Sequence, residues 1–183
     1  MGHRILFVGG TRSGKSALAL KWAEQISSKR LFIATLEPAD SEMALRVRRH
    51  KLARGTSWGL CEAGGRLCPK LARILDLTEQ PGVILIDCLS TWVSTLIMDE
   101  GEDLFERELE QLASLLSKFS QPVGLVTTET GLGVVPPTPL GRRFRDALGD
   151  VNQRIARISD TVIFVSCGLP LVLKGEMPAA LRD

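Results

Sequence analysis

The chain has 183 residues, enough for one packed core and too few for two large ones, so a single domain spanning residues 1–183 is expected. Hydrophobic residues make up 44% and charged residues 24%, a globular balance that excludes a disordered chain. The formal net charge of +2 gives no whole-molecule attraction to nucleic acid or membrane, so any basic chemistry must be local.

In chain order, the first apolar run, Ile5 to Val8, reads as a strand and is followed at once by "GGTRSGKS". Gly9, Gly14, Lys15 and Ser16 satisfy GxxxxGKS, with Gly10, Thr11, Arg12 and Ser13 between them, in the strand, loop and helix order that a phosphate loop requires. Glycines let the backbone turn its N–H groups toward phosphate oxygens. Lys15 adds a mobile cation, Ser16 offers a hydroxyl to Mg²⁺, and the helix predicted over 14–27 presents its positive end. This establishes a nucleotide site and leaves the reaction open, because kinases, switches and motors share the loop.

Further continuous apolar runs at Leu31 to Ala34, Val83 to Ile86, Val123 to Thr127 and Thr161 to Val165 predict interior strands of a parallel sheet. Helices are predicted between them near 40–53, 66–77, 88–97, 102–118 and 138–158, with Asp40-Ser41 and Pro139 supplying start signals. The fold class is therefore α/β, P-loop NTPase-like, with a mostly parallel sheet and helices on both faces. The segment "GLGVVPPTP", 131–139, reads as a loop bordering the active site.

Asp87 stands at the carboxyl end of a predicted strand, where such sheets place ligands, and suits either an Mg²⁺ shell opposite Ser16 or the cap of the next helix. Glu129 holds the equivalent position on the following strand, and position alone leaves its role functional or structural. In the predicted 40–53 helix, Met43, Val47, His50 and Arg54 share a face, and Arg46 lies one turn before His50. Flanking cations favour neutral imidazole and attract phosphate, as a histidine nucleophile needs. A lone helical histidine is more often a structural residue, and spacing alone favours that reading.

Cys61, Cys68, Cys88 and Cys167 contain no CxxC pair and have only His3 and His50 as possible nitrogen partners, which supplies no zinc pattern. Free thiols, the absence of a signal-peptide core and of any run near 20 apolar residues, and Leu6 where myristoylation needs Ser or Thr lead to an expected cytoplasmic location.

The ordered set of Gly9 to Ser16, "HKLARGTSWGLCE" from His50, Asp87, "ETGLGVVP" from Glu129, "FRDALGDVNQ" from Phe144 and "VSCGLPLVLK" from Val165 resembles the bifunctional adenosylcobinamide kinase/adenosylcobinamide-phosphate guanylyltransferases of cobalamin biosynthesis. The resemblance runs from about residue 5 to 175, and its specificity lies in the combination, not in the phosphate loop. It implies phosphorylation of adenosylcobinamide by ATP or GTP, then transfer of GMP from GTP to the new phosphate through a guanylyl-histidine; the Mg²⁺ expected at Ser16 and Asp87 comes from the phosphate-loop pattern. The resemblance further implies that His50 carries the GMP; Lys15, the cation of the phosphate loop, is the other expected catalytic residue. Lys51, Leu52, Ala53 and Arg54, together with Ala34, Thr35, Leu36, Glu62 and Asp87, match nucleotide-binding positions, and a homotrimer is the implied assembly. The chain departs from the family pattern at Arg49, which replaces a histidine before His50, at Gly55 in place of proline, at Thr128 in place of asparagine, and at Cys167 in a small-residue stretch. Without the resemblance, an ordinary small-molecule kinase and a nucleotide-dependent binding switch remain open.

Overall fold

The computed structural model describes residues 2–36, 57–99 and 102–182. Seven strands, β1 (Arg4–Gly9), β2 (Arg30–Ala34), β3 (Trp58–Glu62), β4 (Val83–Asp87), β5 (Val123–Thr128), β6 (Thr161–Ser166) and β7 (Leu169–Lys174), form one sheet in the order β3-β2-β4-β5-β1-β6-β7. Strands β1 to β6 pair in parallel, and β7 returns antiparallel to β6. The helices among the described residues are α1 (Lys15–Ile26), α2 (Leu67–Leu75), α3 (Leu89–Asp99), α4 (Glu102–Lys118) and α5 (Pro139–Ile158), with a 3₁₀ turn at Ala179–Leu181. The helix predicted over 40–53 lies outside the described residues.

The five expected strands and the five expected helices inside the described residues all form, with ends shifted by no more than a few residues. Two strands, β3 and β7, were not anticipated from the residue pattern. Both are edge strands: β3 lacks the continuous apolar run of an interior strand, and the run in β7 is interrupted by a proline. In β3, Gly59 and Leu60 are exposed. In β7, Pro170 lacks an N–H for the ladder, which only an edge tolerates, and Leu169, Leu171 and Leu173 stand exposed.

Continuous apolar strands are explained by helices on both faces. Along β1, Ile5 and Phe7 pack against Ala19, Trp22 and Ala23 of α1, while Leu6 and Val8 face the core formed with α2 to α5. Trp22 lies over β5 so closely that a Cβ at Gly124 would sit 2.6 Å from its ring. At the opposite end of β1 from the phosphate loop, the guanidinium of buried Arg4 donates to the carbonyls of Leu116 (2.9 and 2.7 Å), Gly2 (2.6 Å) and Phe119 (3.3 Å). Leu116 is among the last four residues of α4, whose carbonyls have no intrahelical partner, so Arg4 caps that helix from the sheet.

Candidate functional site

The phosphate loop follows from the end of β1. Gly9 has no room for a side chain: a Cβ there would lie 2.4 Å from the Val165 carbonyl oxygen and 2.6 Å from Ser13 Oγ. The chain then turns, with the Ser13 N–H donating to the Gly10 carbonyl at 3.2 Å, and Arg12 and Gly14 both at positive φ (59° and 96°). Gly14 precedes α1 without offering a side-chain cap, and the first turn of α1 carries no carboxylate. Its first N–H groups are left for an anion.

Lys15 Nζ folds back to donate to the Gly10 carbonyl at 3.1 Å, holding its charge over the loop. Ser13 Oγ is buried without a hydrogen-bond partner among the described residues, the state of a hydroxyl whose partner is a ligand. The turn between β6 and β7 packs on the loop, where the Gly168 N–H donates to the Ser13 carbonyl at 2.8 Å. A cavity of about 380 Å³ opens beside it, walled by Gly10 to Ser13, Glu129, Leu132, Phe164 and Cys167.

A second row of expected site residues lies across the sheet. Register places Ala34 opposite Glu62 on one side and opposite Asp87 on the other, so the carboxyl ends of β3, β2 and β4 present these three residues side by side. Thr35, directly after β2, is buried; its Oγ1 donates to the Cys88 carbonyl (2.6 Å), accepts from the Cys88 N–H (2.9 Å) and lies 2.5 Å from Thr91 Oγ1. The backbone that follows Asp87, including its cis bond to Cys88, is thereby tied to β2 and α3. Leu36 is partly buried and Glu62 is exposed. The Cys88 thiol is pushed up first by burial and then by the Asp87 charge, so it stays protonated near neutral pH and offers no thiolate.

Strand β5 lies between β1 and β4, with Val126 paired to both Phe7 and Asp87. Two interstrand steps, about 10 Å, therefore separate the strand of the phosphate loop from that of Asp87. Behind this gap, Thr127 Oγ1 donates to Asn152 Oδ1 (2.6 Å), Asn152 Nδ2 donates to the Thr128 carbonyl (3.1 Å), and Ser90 Oγ lies 3.2 Å from Thr128 Oγ1. These polar links join β5 to α3 and α5. Asn152 falls within the quoted "FRDALGDVNQ", but the sequence alone showed no role for it.

The expected residues Gly9 to Ser16 thus run from the end of β1 through one turn into α1, and Ala34, Glu62 and Asp87 form one row. His50, Lys51, Leu52, Ala53 and Arg54 lie outside the described residues. No group of three or more His, Cys, Asp or Glu side chains gathers among the described residues. Ser16, in the first turn of α1, offers a hydroxyl and Asp87, at the end of β4, a carboxylate; both are hard oxygens, which suit Mg²⁺ sharing its shell with phosphates and water rather than a closed protein cage. No helix among the described residues is long and apolar enough to cross a membrane.

Comparisons with known proteins bear on the chemistry. Two solved structures share the fold: one from Pyrococcus horikoshii OT3 (TM-score 0.59, 8% identity, covering 100% of this chain and 94% of the other) and the RadB recombinase (TM-score 0.50, 14% identity, covering 89% and 74%). In sequence, the chain is 36% identical to the bifunctional adenosylcobalamin biosynthesis protein CobP of Pseudomonas aeruginosa, over 94% of this chain and 98% of that protein. It is 33% identical to the protein CobU of Escherichia coli, which has the same description, over 93% and 99% of the two chains. Residues 5–173 match the family described as cobinamide kinase / cobinamide phosphate guanyltransferase, and the chain belongs to that family.

Proposed function

We propose that the chain phosphorylates adenosylcobinamide with ATP or GTP, and then moves GMP from GTP onto adenosylcobinamide phosphate through a guanylyl-His50 intermediate, releasing pyrophosphate and giving adenosylcobinamide-GDP. The observation that carries this reading is a fully built phosphate loop inside a chain that matches the bifunctional family over residues 5–173.

In the phosphoryl step, the loop N–H groups and Lys15 hold the triphosphate and neutralise the charge that spreads over the transferred group. In the guanylyl step, neutral His50 attacks the α-phosphorus, and pyrophosphate leaves with its charge held by the same loop; the cobinamide phosphate then displaces His50. Lys51, Leu52, Ala53 and Arg54, with Ala34, Thr35, Leu36 and Glu62, contact the nucleotide in this reading. Ser16 and Asp87 would hold Mg²⁺, which supplies charge neutralisation at the phosphates. A homotrimer and a cytoplasmic location complete the proposal; light scattering on the purified chain measures the assembly.

Incubation with GTP labelled at the α-phosphate tests the reading. An acid-labile, alkali-stable protein label that is lost in His50→Ala, while adenosylcobinamide phosphorylation persists, is the expected result. Phosphorylation of the acceptor with no protein label would leave an ordinary kinase, and bound nucleotide without turnover would leave a switch.

A further inference from the structure

Glu129 stands one residue beyond β5, where its backbone N–H donates to the Gly9 carbonyl at 3.2 Å. That bond, together with the pairing of Thr128 to Gly9, fixes Glu129 beside the root of the phosphate loop. Its side chain is half-exposed and borders the same cavity as Gly10 to Ser13. One carboxylate oxygen, Oε1, accepts from the Gly131 N–H; the other has no hydrogen-bond partner among the described residues. Gly131 permits this approach, because a Cβ there would lie 2.9 Å from Oε1. The carboxylate is thus aimed by one oxygen and left with a free lone pair on the second, at the mouth of the phosphate site.

Phosphoryl transfer to an alcohol needs a group at that place. The acceptor hydroxyl must lose its proton as it meets the γ-phosphorus, and a carboxylate serves this purpose in other phosphoryl transferases. We propose that Glu129 is the general base of the kinase step. Its carboxylate takes the proton as the acceptor oxygen bonds to the γ-phosphorus; the bond from that phosphorus to the β,γ-bridging oxygen breaks, its electron pair leaves with the nucleoside diphosphate, and the proton passes to solvent. The proposal rests on the kinase reading above. It deepens that reading by assigning the proton acceptor and by placing the acceptor alcohol at the Glu129 side of the cavity.

The test uses Glu129→Gln, which keeps an oxygen to accept the Gly131 N–H and removes the basic carboxylate. The expected result is a fall of about 100-fold or more in kcat for adenosylcobinamide phosphorylation. The KM for the nucleotide should stay within about threefold, and α-labelled GTP should still guanylylate the protein, because that half-reaction deprotonates no alcohol. Glu129→Ala should regain part of its phosphorylation rate when formate is added as an external carboxylate. The proposal is overturned by Glu129→Gln phosphorylating within about threefold of the parent rate, or by equal loss of phosphorylation and protein labelling in that variant. A parent chain that labels itself but phosphorylates no cobinamide would overturn the kinase reading itself, and Glu129 with it.

Discussion

The Gly168 N–H donates to the Ser13 carbonyl at 2.8 Å, so the turn joining β6 and β7 is fastened to the outer side of the phosphate loop. Gly14 sits within this joint: a Cβ there would meet Gly168 Cα at 3.1 Å, and its φ of 96° disfavours any L side chain. Gly14→Ala should lower stability by roughly 1–3 kcal/mol and weaken nucleotide binding together. Thermal unfolding with and without GTP checks this, the nucleotide-induced rise in Tm shrinking in the variant.

Removing the loop cation has a different signature. Lys15→Ala leaves the core untouched and removes the charge held over Gly10, so it should reduce both phosphorylation and protein guanylylation while Tm without nucleotide changes little. Parallel assays of the two half-reactions measure it, and retention of either at the parent rate would exclude a shared phosphate cradle.

Thiol reactivity should map the site. Cys167 is exposed and borders the phosphate cavity, whereas burial pushes the Cys61, Cys68 and Cys88 thiols up. A raised pKa means less thiolate at a given pH, so these three should alkylate more slowly than Cys167 at neutral pH, their reaction growing only as pH rises. Mass spectrometry after brief alkylation should find Cys167 modified first, and saturating GTP should slow that reaction.

Thr35→Val keeps shape and removes the hydroxyl that serves both the N–H and the carbonyl of Cys88. The Cys88 carbonyl keeps the Thr91 hydroxyl (2.9 Å), so a loss of about 1–3 kcal/mol is expected from the Cys88 N–H left unsatisfied, with Thr35→Ser retaining most of the stability. Denaturant unfolding of both variants measures the difference, and a raised nucleotide KM in the valine variant alone would report the loosened backbone after Asp87.

Arg4→Met should destabilise by about 2–4 kcal/mol, because the carbonyls of Leu116, Phe119 and Gly2 lose a charged donor inside the protein. Arg4 begins β1 and Gly9 ends it, about 16 Å away at strand rise, so kcat at a temperature where the variant is folded should match the parent.

The interior of the sheet was readable because β1, β4, β5 and β6 are buried on both faces, which favours a continuous apolar run, with the buried polar residues Arg4, Thr127 and Thr161 towards the strand ends. The phosphate loop was equally readable, since its backbone admits glycine alone at Gly9. The edge strands were not, because exposure relaxes their pattern and Pro170 in β7 reads as a strand breaker. The row of Ala34, Glu62 and Asp87 depends on register between strands far apart in sequence, which no local pattern encodes. The links of Thr35 to Cys88 and of Thr127 to Asn152 are long-range in the same way.

The interposed β5 acts as a ruler. The gap between the phosphate loop and Asp87 is measured out in backbone hydrogen bonds from β1 to β5 to β4, and those distances do not change with the side chains that the strands carry. Core substitutions on β5 should therefore cost thermal tolerance long before they alter the reach between the two halves of the site. Adaptation to a longer or shorter substrate must be made in the connections above the sheet.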